Sequence, residues 1–272
     1  MNTQSRRTLS ITITLFAVGV TVLALQWTRN HLGDESTLTG WTLLVSTAGL
    51  YLLTARKKLI KHHLGPVAAW LQIHVYMGSF ASIVFLLHIG WPIRGIFEIL
   101  LAGCFVFVAV SGMVLGYLSR STPKRLGAIA NDHQQEQIPM LQSIVAQQAY
   151  QEAIQSTDFG EGATLAEFYQ RRLLGFFQHP RGILYQAVPN GFKRRQLLRE
   201  LNDLDRYLAE KGVSSRRALS DMVKTKDDLD YQSALQGRLR TFFMLHVSLT
   251  WSLILMIGVH VVLVYRFHGS IL

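Results

Sequence analysis

The sequence predicts an all-α integral membrane protein: a helical bundle of five transmembrane helices with a cytoplasmic helical insert. Three observations lead there. Apolar residues fill 49% of the 272 positions and charged residues only 16%, where an ordinary soluble domain carries about 25% charged residues. The apolar residues gather in five stretches, each near the ~20 residues that a helix needs to cross a hydrocarbon layer of about 30 Å. No segment alternates apolar and polar residues with the period of a strand. Low charge with positive mean hydropathy excludes disorder and an ordinary soluble enzyme.

The first stretch covers 9–27 and the second 38–55, the shortest and richest in Thr and Ser. The third covers 67–91, the fourth 96–118 and the fifth 242–265. Trp27, Trp41, Trp91, Tyr117 and Tyr265 stand at segment ends, where amphipathic rings prefer the headgroup level. Residues 119–240 are polar and helical in pattern. Thr164 with Glu167 reads as a capping box opening a helix over 165–177. In 192–211, Leu197, Leu198, Leu201, Leu204 and Leu208 form one stripe, with Gly212 as a stop. Ser214 or Ser215 then caps a further helix through Met222. Gly160-Glu161-Gly162 lacks the spacing of a phosphate-binding loop. The expected organisation is 1–37, an extra span and outer loop; 38–118, three core helices; 119–240, the insert; and 241–272, the last span and outer tail.

Charge sets the orientation. Arg6 and Arg7 precede the first span; Arg56, Lys57, Lys58 and Lys61 follow the second. Arg120, Lys124 and Arg125 follow the fourth, and Arg238 and Arg240 precede the fifth. That places 11 cations on one side against Arg29, Arg94 and Arg266 on the other. The expectation is a multi-pass protein of the cell's inner membrane, with the N-terminus and insert cytoplasmic and the C-terminus outside. The net charge of +10 then reflects topology, and no nucleic-acid partner is expected. Ser5-Arg6-Arg7-Thr8-Leu9 has the form of a twin-arginine export signal, but no small-residue cleavage site follows, so a positive-inside anchor is expected. A single cysteine, Cys104, excludes an internal disulfide, a Cys-ligated zinc, an iron–sulfur cluster and covalent c-type haem attachment. It reads as a small core residue.

Ionisable residues deep in a span are costly and mark function. Four of the ten histidines lie there: His74 and His88 in the third stretch, His246 and His260 in the fifth. Each pair is fourteen residues apart. Fourteen residues are nearly four helical turns, so both rings share a face at levels about 21 Å apart. The midpoints, Ala81 and Leu253, are central in their spans, and both helices start on the same side. His74 therefore matches His246 in depth, and His88 matches His260. Four ligands at two levels cannot converge on one zinc or copper ion. Two opposed imidazoles per level do fit the axial positions of haem iron, giving two non-covalent b-type haems. Gly78, Ser79, Ala81 and Ser82 in the third span, and Gly103, Gly112 and Gly116 in the fourth, offer room for flat macrocycles.

His74-x13-His88 and His246-x13-His260, on the second and fourth of the last four spans, resemble the dihaem four-helix core of respiratory cytochrome b. The resemblance covers about 38–118 and 241–266. It implies axial ligation by these four histidines and electron transfer between the membrane faces, commonly coupled to quinone. The chain departs from that pattern by its extra first span, its insert of about 120 residues and the lack of later spans with a Pro-Glu-Trp-Tyr quinol motif. Membrane subunits of nitrate-reductase type also use two ligand helices among five, with less even spacing.

The expected function is therefore one-electron relay across the membrane, between the quinone pool and a partner redox protein. That partner would be an outer-side cytochrome or a cytoplasmic subunit, with this chain as the electron-transfer subunit of a quinone-linked oxidoreductase. No flavin, nicotinamide or iron–sulfur motif is present. The alternatives are a His-lined proton or metal transporter, which needs more polar residues deep in the spans, and a non-redox membrane anchor. His31, His62, His63 and His268 read as interfacial, with His31 or His268 able to serve an outer partner. Glu98 pairs with Arg94 at the outer interface or accepts a proton at an outer quinone site. Lys61, Arg238 and Arg240 inside, and Arg94 and Arg266 outside, are candidates for haem propionates. The insert, with 18 Lys and Arg against 14 Asp and Glu, docks a subunit, covers the inner haem, binds anionic lipid or packs on itself.

Overall fold

The computed structural model describes residues 3–51, 67–90, 92–93, 95–127, 129, 133–158 and 162–268. Their helices are α1 (Thr3–Asn30), α2 (Glu35–Leu50), α3 (Val67–His88), α4 (Ile96–Leu126) and α5 (Ile138–Gln155). Then come α6 (Gly162–Phe168), α7 (Leu174–Gln178), α8 (Ile183–Ala187), α9 (Phe192–Asp203) and α10 (Glu210–His268). A π turn, Tyr169–Leu173, joins α6 to α7. No strand occurs among the described residues.

Four helices are long and apolar enough to cross a bilayer: Arg7–Asn30, Ala68–His88, Ile96–Leu126 and Glu210–Phe267. Their exposed side chains include Leu15, Phe16, Leu23, Leu86, Phe107, Met113, Leu255 and Val262. A helical surface of that composition is solvated by lipid tails, with every backbone group satisfied inside the helix. The 38–55 stretch is helical over Glu35–Leu50, 16 residues. Arg56, Lys57, Lys58, Lys61, His62, His63, Trp91, Arg94, Gly160 and Glu161 lie outside the described residues.

The chain divides into two compact units, Met1–Gly116 with His246–Leu272, and Tyr117–Leu245. In the first unit α3 packs against both α1 and α2. Gln72 Nε2 donates to Ser10 Oγ at 2.8 Å between α3 and α1. The turn from α1 to α2 is closed by polar groups. Gly33 N–H donates to the Thr28 carbonyl at 2.9 Å, and a Cβ at Gly33 would stand 2.7 Å from Thr28 Cγ2. Asp34 caps α2, accepting from Ser36 N–H at 2.9 Å. Arg29 grips Glu35 through two bonds of 2.8 and 2.9 Å. The apolar core joins Ala81, Phe85, Ala102, Phe105 and Leu253. Phe85 and Phe105 stack there with centroids 4.2 Å apart. In hydrocarbon such contacts hold helices by close packing, since lipid tails are as apolar as the side chains.

The second unit wraps α5, α6, α7, α9 and the first part of α10 around Leu165, Leu173, Phe176, Phe177, Leu197, Leu201, Leu219 and Val223. Buried charge also occurs here. Lys226, 2% exposed, meets Asp230 at 2.5 Å, and Arg181 spans Asp227 at 2.6 Å and Asp230 at 3.1 Å. Three helix boundaries differ from the sequence expectation. Thr164 lies within α6 and does not cap it. The leucine-striped helix ends at Asp203 with a 3₁₀ turn, and the break falls at extended Leu208 (φ −116°, ψ 134°). Gly212, Ser214 and Ser215 all lie inside α10, which runs on unbroken to His268. The glycine is there because a Cβ would meet the Leu208 side chain at 3.1 Å. Packing of Leu208 against α10 decides that position, and the rank of Gly as a helix stop does not.

Candidate histidine-pair sites

The four span histidines stand in two pairs. His74 and His246 have ring centroids 6.4 Å apart and planes at 80°. His88 and His260 repeat the arrangement at 6.5 Å and 88°. Ala81 and Leu253, the midpoint residues, are buried together in the core. Levels and partners are those that the fourteen-residue spacing predicts. Among the described residues no three His, Cys, Asp or Glu converge on one point.

One ring of each pair is held by a hydroxyl. Thr39 Oγ1 of α2 lies 2.9 Å from His88 Nδ1, and Ser111 Oγ of α4 lies 3.0 Å from His246 Nδ1. Each hydroxyl has one hydrogen, and a backbone carbonyl of its own helix is the ordinary acceptor for it. Thr39 donates to the Glu35 carbonyl at 2.8 Å; Ser111 donates to the Val108 carbonyl at 3.0 Å. Donation to the carbonyl leaves each oxygen to accept from the ring, the arrangement in which Nδ1 carries the proton. In a neutral imidazole that leaves the lone pair on Nε2. This is the state of a metal-ligating histidine whose other nitrogen is held by an outer partner. Thr39 is 2% exposed and Ser111 5%, so neither oxygen has water as a substitute. His74 Nδ1 is buried without a partner in hydrogen-bond geometry, its neighbour being the Leu50 carbonyl.

The residue after each hydroxyl is glycine, and both glycines touch the held ring. A Cβ on Gly40 would stand 3.2 Å from His88 Cε1, and one on Gly112 3.1 Å from His246 Cε1. Ordinary carbon contacts begin at about 3.5 Å. Thr39-Gly40 and Ser111-Gly112 are thus the same device on two helices: the hydroxyl sets the proton, and the glycine lets the ring lie against the backbone. Sequence reasoning named Gly112 as space for a macrocycle but missed Thr39, Gly40 and Ser111. The available signal was a hydroxyl–glycine pair on a helix lacking histidine of its own. Gly103 and Gly116 have open space where a Cβ would be, and Gly78 meets only Leu50 Cδ2 at 3.9 Å.

The remaining candidates stand apart from this arrangement. His31 Nδ1 contacts the Trp27 carbonyl at 2.8 Å, with the two rings 4.3 Å apart. Glu98 is exposed in the first turn of α4, and Arg240 and Arg266 are exposed on α10. Arg238 donates to the Ala187 carbonyl at 2.9 Å. Cys104 Sγ lies 3.7 Å from the Leu249 carbonyl. The chain matches no protein-family model, no curated protein and no solved structure.

Proposed function

We propose that the chain is a dihaem membrane cytochrome b, with His74 and His246 holding one b-type haem and His88 and His260 the other. One observation carries this reading: two histidine pairs, at two depths, share the same ring separation. With a metal–imidazole bond of about 2 Å and about 1.1 Å from ring nitrogen to centroid, two coaxial imidazoles on one metal stand roughly 6.3 Å apart. The pairs stand at 6.4 and 6.5 Å. Edge-to-face ring pairs span about 4.5–7 Å, so the repeat of one separation at two depths carries the reading, and the distance alone does not.

Three further features fit the group: the Nε2 lone pairs that Thr39 and Ser111 set, the two glycine cradles, and a donor set without thiolate or carboxylate. Bound haem supplies one-electron redox chemistry at each level. The protein's residues fix ligand orientation, raise ligand basicity through the Nδ1 bonds and exclude water by burial. Two such levels about 21 Å apart along α3 and α10 serve a relay from one face of the membrane to the other. Quinone on one side and a partner redox protein on the other complete the reading. The 38–55 stretch is its fifth span, and the N-terminus and insert are cytoplasmic in the cell's inner membrane.

The test is spectroscopic. The purified chain gives a pyridine haemochrome of b type at two haems per chain. Leu at position 88 or 260 removes one haem, and Leu at 74 or 246 removes the other. A chain without a b-type α band, or one that keeps both haems after H88L, would overturn the proposal. A polar transport pathway would instead show histidine-dependent ion flux without haem.

A further inference from the structure

We infer that residues 183–192 of the second unit form a membrane-interface foot, with Ile183, Leu184, Val188 and Phe192 immersed at the headgroup level of an anionic lipid surface. The inference does not rest on the haem proposal.

The segment is short, braced and turned outward. Pro180 and Pro189 bracket α8 and fix φ on both sides. Asn190 Oδ1 accepts from Phe192 N–H at 3.2 Å, folding the chain into α9. Tyr185 faces inward, its ring under the Arg181 guanidinium at 4.8 Å, and burial beside Asp227 pushes its hydroxyl pKa up. The other side is bare. Ile183 is 83% exposed, Leu184 87%, Val188 69% and Phe192 67%. Four large apolar side chains on one short segment are an exposed patch that needs a cover.

Two observations identify that cover. The first is position. Arg238 donates to the Ala187 carbonyl at 2.9 Å, which ties α8 to α10 one turn before the apolar run that begins at Phe242. Phe243, Met244 and Leu245 are already exposed there, so lipid-facing surface starts within about 10 Å of the tether along the helix. The second is charge. Lys193 and Arg195 follow Phe192 directly, and Arg240 is exposed two residues beyond the tether. The nearby acids are occupied: Asp227 and Asp230 by Arg181, and Asp228 by Arg194. Lys193 is shared with Glu200, while Arg195 and Arg240 are exposed; apolar side chains beside such cations are the composition of an interfacial anchor on anionic lipid.

Spin labels test this on the full chain in vesicles of phosphatidylcholine and phosphatidylglycerol, in a Cys104→Ala background. Labels at Leu184→Cys and Val188→Cys are expected to be partly shielded from an aqueous nickel chelate, with an accessibility between that of a Leu255→Cys label and that of a label in water. An Asp221→Cys label, about 26 Å back along α10, reports water. Charge reversal at Lys193 and Arg195 raises nickel access at Leu184→Cys in the anionic vesicles. Nickel access at Leu184→Cys equal to that at Asp221→Cys would overturn the inference. So would shielding accompanied by dipolar broadening that vanishes on dilution with unlabelled chain, since a second copy would then be the cover.

Discussion

Replacing Ser111 with Ala isolates the role of one hydroxyl without touching a proposed ligand. The side chain is 5% exposed and its oxygen lies 3.0 Å from His246 Nδ1. Its loss leaves the buried ring N–H only the Val108 carbonyl nearby, a cost of up to about 1–3 kcal/mol. At about 1.4 kcal/mol per decade that is roughly 5- to 150-fold in ligand affinity, in line with the 10- to 100-fold found for outer partners of metal-bound histidine. The effect should fall on one level only. Haem content of the purified variant drops from two toward one per chain, and the residual site at His74 and His246 titrates at a higher potential. The sign follows from basicity: an imidazole whose Nδ1–H is held donates more charge and favours ferric iron, so removal favours ferrous. Each tenfold change in that preference is about 59 mV for a one-electron couple. Ser111→Thr, which keeps the oxygen, restores both haem content and potential. A Ser111→Ala chain with two haems and an unmoved titration, alongside His246→Leu with one, would refute the assignment of the proton to Nδ1.

The other expectations are more local. Gly40→Ala and Gly112→Ala each force a ring contact of 3.2 or 3.1 Å to open by a few tenths of an ångström; each should lower occupancy at one level, while Gly103→Ala and Gly116→Ala leave haem content unchanged. Asp230→Ala strands the buried Lys226, while Arg181 keeps Asp227, and should destabilise the second unit by about 3–5 kcal/mol, read as faster proteolysis of residues 117–245 with the spans intact. Asp34 is held down to a pKa of about 2 by hydroxyl bonds from Thr37 and Ser36. A lowered carboxyl pKa stabilises the fold above the ordinary range near 3.8 and loses that contribution as pH falls through about 2. Asp34→Ala should therefore lower Tm at neutral pH, by about 1 kcal/mol of cap energy, with the difference from the parent shrinking between pH 4 and 2.

What was legible in the sequence was whatever depends on one helix at a time. The apolar runs gave four of the helices directly, because crossing a bilayer demands length and composition within a single segment. The histidine pairing was legible for the same reason: two residues fourteen apart on each of two spans fix both depth and face. Whatever depends on two helices was not legible. No spacing in the chain connects Thr39 to His88, 49 residues away, or Ser111 to His246, 135 away. The insert failed differently. Gly212 has the composition of a stop, yet it lies inside a long helix with the partly buried Leu208 side chain 3.1 Å from where its Cβ would be.

The placement of the two hydroxyls carries the argument one step further. Thr39 holds the ring from α3, and Ser111 holds the ring from α10. Each level thus has one ligand whose proton and orientation are set by a neighbouring helix and one that is not held in this way. At the first level that ring is His74, whose Nδ1 has no hydroxyl and only the Leu50 carbonyl as a neighbour; at the second it is His260, stacked 6.5 Å from Phe97. A pair with both rings locked needs four helices in register before either ligand is placed. A pair with one locked ring needs only two, and under the haem proposal the other ring would complete the site. By this reasoning Thr39 and Ser111 set where each site lies, while His74 and His260 close it. Truncating a held histidine should then abolish its site, whereas exogenous imidazole should rescue occupancy in His74→Gly or His260→Gly better than in His246→Gly or His88→Gly.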